Sequence, residues 1–270
     1  MKLSVIKLGG SVITKKYVKN FPSDFEKIKI LGEKFLRKKT IENLIKEIYD
    51  AKDEKQKLIL INGAGVFGHY LVYKYLNGGD VKIETIHQSV KFLNEKVKKV
   101  VEKYFICSVL HPFELCVYHK GNFITKKMVA KAKEDLSKNR VILSYGDIIK
   151  ADKGRLGGYE VFSGDDIATE LAIKLKAEKI VMVTDVDGVY DKHPKNKNAK
   201  LIPKICGKID FIEFSRSKID VSGEMKSKIE KLLIAAEKGV KSYIINGLKK
   251  GNLFDVMKGK NVGTSINPIC

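Results

Sequence analysis

Apolar residues gather in short runs at 3–8, 58–62, 141–145, 180–184 and 242–246, each ending at glycine or polar residues. Runs this short and without strict alternation predict strands buried on both faces. Between them the period changes. Over 40–51, Ile41, Leu44, Ile45 and Ile48 fall on one face of a helix that Thr40 is placed to cap. The stretches 166–175 and 226–238 have the same spacing, and 86–104 predicts a longer helix. Strands alternating with helices predict an α/β fold with a mainly parallel sheet covered on both faces. The middle of the chain is less regular, with hairpin-like pieces around Gly121. Residues 152–162 predict a surface hairpin turn, and 191–200, polar and containing Pro194, a loop. No repeat, low-complexity tract or linker interrupts the 270 residues, so one continuous unit with two lobes is expected.

Composition narrows the setting. Apolar residues make up 44% of the chain, and no apolar stretch reaches the length of about eighteen that a membrane helix needs. The N-terminus runs directly into the first strand without a signal-like apolar region, so a cytoplasmic protein is expected. Four cysteines stand apart with no Cys-x-x-Cys pair, which predicts reduced thiols and neither a zinc site nor a disulfide framework. The formal charge of +20, from 52 Lys and Arg against 32 Asp and Glu, favours anionic partners. The lysines are spread along the chain and no nucleic-acid module is visible, so small phosphorylated molecules fit better than nucleic acid.

Five motifs carry candidate chemistry. Lys7-Leu8-Gly9-Gly10-Ser11 follows a strand; its glycines let backbone N–H groups approach a phosphate, or simply make a tight turn. Asn62-Gly63-Ala64-Gly65-Val66-Phe67-Gly68-His69 follows another, with three glycines able to wrap an anion and His69 placed either to grip a phosphate or to pack. Ser163-Gly164-Asp165-Asp166 opens a helix, where the carboxylates either cap the dipole or orient lysines around a transferring phosphoryl group. Thr184-Asp185-Val186-Asp187-Gly188-Val189-Tyr190 ends a strand; the EF-hand spacing fails, and a nucleotide-pocket wall is the better reading. Asp220 to Lys228 places Gly223, Lys226 and Lys228 at a helix start, where positive charge is unfavourable unless an anion joins it. No Gly-x-Ser-x-Gly elbow, His-Glu-x-x-His pair or Walker P-loop occurs. His87, His111, His119 and His193 lack metal-ligand spacing and read as structural or solvated; no metal-ligand set is expected.

In this order, over essentially the whole chain, these motifs resemble the amino-acid-kinase superfamily. Segments 7–11 and 184–190 are shared widely there. The glycine loop running through Phe67 and Gly68 to His69, the segments 7–16, 163–167 and 220–228, and Gly263-Thr264 resemble its isopentenyl phosphate kinase branch. The resemblance implies an open αβα sandwich, with an acceptor-binding lobe over about 1–150 and an ATP-binding lobe over about 151–270. It implies that ATP and Mg²⁺ are used and that the chain forms a homodimer. Lys7 would lie between donor and acceptor phosphates, Lys16 near the transferred group, and Lys228 on the ATP phosphates, with Asp165 holding the lysines. Gly63, Ala64, Gly65, Gly68, His69, Asp147 and Gly164 would serve the acceptor. Gly9, Gly10, Ser11, Thr184, Asp185, Asp187, Gly188, Tyr190, Gly223 and Lys226 would serve ATP.

The chain departs from the family at Asn62 (usually His), Tyr70 (usually Pro), Glu224 in the Gly-Gly-Met motif, and His111-Pro112-Phe113-Glu114 (usually Gln-Pro-Ser). These positions bear on the acceptor. The implied reaction is ATP-dependent phosphorylation of isopentenyl phosphate in isoprenoid biosynthesis. The alternatives are another phosphate or phosphonate acceptor, uridylate or fosfomycin-like, and a non-catalytic nucleotide- or nucleic-acid-binding protein.

Overall fold

Each predicted strand run is a strand of one eight-stranded sheet in the computed structural model, which describes residues 2–16, 18, 20–194, 196–207 and 222–269, with the side chains of 222–224 left out. From one edge the order is Lys204–Cys206, Thr264–Asn267, Lys241–Asn246, Lys179–Thr184, Leu3–Leu8, Lys57–Asn62, Val141–Tyr145 and Cys107–Val109. Every pairing is parallel except that of Lys241–Asn246 with Thr264–Asn267. Leu3–Leu8 and Lys179–Thr184 are buried along their whole length, as strands covered on both faces must be.

Alternation along these strands sorts side chains into two layers. Ile6, Leu8, Leu58, Leu60, Val181 and Val183 join one core, with Ile41, Leu44, Ile45 and Ile48 of helix Lys38–Ala51 and Leu93 and Val97 of helix Ile83–Val101. Leu3, Val5, Ile59, Ile61, Ile180 and Met182 join the other, with Ile167 and Leu171 of helix Gly164–Lys174 and Ile229 and Leu232 of helix Ser222–Glu237. The result is the αβα sandwich. The same parity fixes two polar residues. Lys7 shares the face of Leu3 and Val5, so it points toward helix Gly164–Lys174. Asn62 shares the face of Leu58 and Leu60, and there Asn94 donates to its Oδ1 at 2.8 Å.

A second sheet, in the order Asn122–Ile124, Val117–His119, Asp147–Ala151 and Tyr159–Phe162, flanks the main one. The hairpin around Gly121 is its edge, turning through Lys120 and Gly121 at positive φ. The segment 152–162 is only partly the surface turn expected: Tyr159–Phe162 is a strand antiparallel to Asp147–Ala151, and Glu160 and Phe162 are buried. The long helix runs over Ile83–Val101, three residues ahead of the expected 86–104. Helix Lys38–Ala51 starts before Thr40, which is therefore not its cap; helix boundaries follow tertiary contacts more than local signals. Helix Lys126–Ser137 and strand Cys107–Val109 were not foreseen. The strand is a three-residue edge, too short to carry a period.

Cys107 and Cys116 are free thiols, but Cys206 is disulfide-bonded. The expectation of four reduced cysteines is thereby corrected, since spacing in sequence does not encode which thiols meet. Cys270, Asp220 and Val221 lie outside the described residues.

Candidate active site

The parallel strands place their carboxyl ends at one side of the sheet, where open α/β sheets bind ligands. There the strand hydrogen bonding continues one step into glycine loops. The N–H of Gly9 donates to Val183 O, that of Gly63 to Leu8 O, that of Gly146 to Asn62 O and that of Gly247 to Thr184 O, at 2.8, 2.8, 3.1 and 2.8 Å. The loops touch because they lack side chains: a Cβ on Gly10 would stand 2.4 Å from the Gly65 nitrogen, and one on Gly146 2.8 Å from the Gly164 nitrogen. The glycines read from sequence as phosphate loops are therefore also what lets four strand ends converge.

These loops border a cleft of about 720 Å³. Of the residues predicted from sequence, Lys7, Gly10, Ser11, Lys16, Gly63, Ala64, Gly65, Gly68, His69, Asp147, Gly164 and Asp165 line it. At its floor Asp165 Oδ1 lies 2.8 Å from Lys7 Nζ, and its Oδ2 accepts from Lys228 Nζ. All three side chains are at least nine-tenths buried. Lys228, absent from the cleft lining itself, thus reaches it through Asp165. Burial would raise the Asp165 carboxyl, but the ammonium groups of Lys228 and Lys7 outweigh it and hold the group far below the ordinary carboxylate range. Two ammonium groups thus converge on one buried carboxylate.

A second ion pair stands beside the first loop. Asp185 accepts from Lys16 Nζ at 2.8 Å and from Ser11 Oγ at 2.9 Å. Burial opposes ionisation of Asp185, and these two donors overcome it. A third joins Lys231 Nζ to Asp166 Oδ1 at 2.7 Å, with Ser163 capping the helix through Asp166 N–H at 3.1 Å. His69 is exposed on helix Gly65–Leu76, and the cleft extends past it into an apolar end lined by Val72, Tyr73, Leu76, Ile86, Val90 and Val161.

The other predicted residues lie elsewhere. Gly9 sits under its loop against Val183 O. The Thr184 hydroxyl donates to the backbone oxygens of Val186 and Ile245, so it braces the loop. Asp187 gathers Asn246, Lys249 and Tyr190 into a separate cluster, with Gly188 packed on Thr264. Lys226 is exposed and its Nζ is 4.0 Å from Glu230. Gly223 falls in the first turn of helix Ser222–Glu237, in the stretch whose side chains are not described.

Among the cleft residues that escaped the sequence reading are Lys231, Arg155 and Tyr73. Lys231 had a legible signal, standing one helical turn after Lys228 on the same face. His87, read as structural or solvated, bonds Asp147 Oδ2 at 2.9 Å. Nothing local in sequence joins residues so far apart. Among the described residues no group of three or more His, Cys, Asp or Glu side chains is arranged to hold a metal. Of the acids lining the cleft, Asp165 and Asp166 are each paired with lysines, as is Asp185 beside it. The described donor set therefore does not form a protein-held metal cage.

Comparison with known proteins points the same way. Residues 2–246 match the model of the amino acid kinase family. The chain is 30% identical to the isopentenyl phosphate kinase of Methanothermobacter thermautotrophicus over 97% of its own length and 98% of that protein's. It is 31% identical to the isopentenyl phosphate kinase of Methanocaldococcus jannaschii, covering 98% of each. A crystal structure of an isopentenyl phosphate kinase superposes with a TM-score of 0.78 at 27% identity, covering 98% of this chain and all of the other. No helix among the described residues is long and apolar enough to cross a membrane.

Proposed function

This chain belongs to the amino acid kinase family, and from that premise we propose that it transfers the γ-phosphoryl group of ATP to isopentenyl phosphate, giving isopentenyl diphosphate and ADP. The observation that carries the reading is the continuity of one cleft. Lys7 and Asp165 lie at its floor, with Lys228 bound to the same carboxylate, and glycine loops, His69 and a group of apolar side chains share its lining. A phosphate head with a short hydrocarbon tail matches that sequence of surfaces. Uridylate, polar along its length, does not.

The acceptor phosphate is already a nucleophile at neutral pH, so the chemistry asks for positioning and charge neutralisation more than for a base. Lys7 and Lys228 offset the charge of two anions brought together, and Asp165 keeps both ammonium groups aimed. Loop N–H groups and His69 hold the acceptor. Ser11, Lys16 and Asp185 stand on the nucleotide side, and the Asp187 cluster borders it further out. The lobe before about residue 150 serves the acceptor and the lobe after it ATP. Mg²⁺ would arrive with the nucleotide phosphates rather than in a cage of side chains. A cytoplasmic homodimer completes the reading.

The test is ADP release over a panel of isopentenyl phosphate, uridylate and a fosfomycin-like phosphonate. Turnover on isopentenyl phosphate above the other two is expected. No release with any of them would return the chain to a binding role. His69→Ala should raise the KM for isopentenyl phosphate about tenfold to a hundredfold, the range for a hydrogen bond to a charged group, with the KM for ATP little changed. An equal rise for both substrates would remove His69 from the acceptor site.

A further inference from the structure

Residues 58, 60 and 62 of strand Lys57–Asn62 face the same core, and Leu58 and Leu60 fill it with apolar surface. The third position is an amide. Asn62 is 0% exposed, and its partner Asn94 is 1% exposed on helix Ile83–Val101, beside the core residues Leu93 and Val97. Burying two amides is costly unless they bond, and here the bonds have a direction. Asn94 Nδ2 donates to Asn62 Oδ1 at 2.8 Å, which leaves Asn62 Nδ2 turned toward Gly63 O, 3.4 Å away. The Gly63 carbonyl is thereby drawn to the core side of its loop.

The peptide joining Gly63 to Ala64 is planar, and its N–H points opposite to that carbonyl, away from the core and toward the cleft that both residues line. Among the described residues this N–H has no acceptor. It stands beside the charge centre: a Cβ on Gly63 would be 3.3 Å from Lys7 Cε and 2.7 Å from the Gly10 nitrogen. We propose that Asn94, through Asn62, fixes the orientation of the Gly63–Ala64 peptide, so that the Ala64 N–H is aimed at the acceptor phosphate before it arrives. This rests on reading the cleft as a phosphate site. Asn94 is buried and acts through Asn62, so it is a positioning residue. Gly63 and Gly65 flank the Ala64 N–H, and glycine leaves the chain many orientations. Fixing one in advance spares the anion the cost of ordering it. Helix Ile83–Val101 is well placed to do so. Val90, one turn before Asn94, lines the cleft, and its Cγ1 would stand 3.1 Å from a Cβ on Gly68.

The test follows the Ala64 amide by NMR in the full chain, labelled with ¹⁵N-alanine and titrated with inorganic phosphate. In the wild type this resonance should move downfield on binding. Asn94→Leu keeps the size of the side chain and removes its donor. The dissociation constant for phosphate, read at Ala64, should then rise about tenfold, the worth of one hydrogen bond to a charged group. Asn62→Leu should do the same and the double variant no more, because the two residues act in one path. The same rise of about tenfold should appear on a His69→Ala background, which separates the loop from the imidazole. ATP binding should change little. If Asn94→Leu does not fold, Asn94→Ala carries the same expectation. A phosphate constant within about twofold of wild type in the folded Asn94 variant, with Tm alone lowered, makes the amide pair structural and overturns the proposal. An Ala64 resonance that saturating phosphate leaves in place overturns it as well. Isopentenyl phosphate turnover is measured in parallel, and its absence in the wild type would sink the proposed reaction while leaving the phosphate titration to stand or fall alone.

Discussion

Lys228→Ala is expected to lower turnover about a thousandfold while the protein stays folded. Its ammonium group belongs to a preorganised charge aimed at the site where anions meet, and loss of one such group typically costs about a hundredfold to a thousandfold in kcat. The fold should survive because Lys7 remains on Asp165 at 2.8 Å, so no buried carboxylate is stranded. Lys7→Ala should behave alike, with Lys228 keeping the partner. The two losses should not multiply, because groups that act as a unit give strongly non-additive effects. ADP release at saturating substrates, with circular dichroism to confirm the fold, makes the measurement. Turnover within tenfold of wild type in either variant would take that lysine out of the reaction.

The central strands were legible because burial on both faces leaves a continuous apolar run, and 3–8 and 141–145 read to the residue. Lys7 was legible as a charge at a strand end. Its partner was legible only as a motif, since what joins Lys7 to Asp165 is strand parity together with the crossing of a helix over that face. The ion pair of Lys16 with Asp185 spans 169 positions and the bond of His87 to Asp147 spans 60, and no local pattern encodes either. Helix Lys126–Ser137 did carry a signal, with Met128, Ala132 and Leu136 four apart and buried, obscured by the lysines around it. The apolar end of the cleft was illegible for a different reason. Val72, Tyr73 and Leu76 continue a helix whose start was read for its glycines and His69, so their place in the cleft is a property of how that helix docks.

Asp165→Asn should separate the structural from the chemical role of this centre. The substitution keeps the shape and removes the charge that two buried ammonium groups share. Removing one partner of a buried ion pair costs about 3–5 kcal/mol, because the remaining charge is stranded. Here two ammonium groups lose that carboxylate at once, which places the variant at the upper end. A fall in Tm of roughly 10 °C is expected for a chain of this size. The pH dependence has a definite sign. The Asp165 carboxyl is held below its unfolded value, so its contribution is fully present above about pH 4 and is lost only as pH falls toward the depressed folded value. Wild type and Asp165→Asn should therefore differ most in stability near neutral pH and converge in strong acid. Adding Lys228→Ala to Asp165→Asn removes one of the two ammonium groups that lost the carboxylate. That double variant should regain much of the lost stability and none of the lost turnover. If Asp165→Asn melts with the wild type near neutral pH, the lysines do not depend on that carboxylate, and the charge arrangement assigned to the cleft floor is wrong.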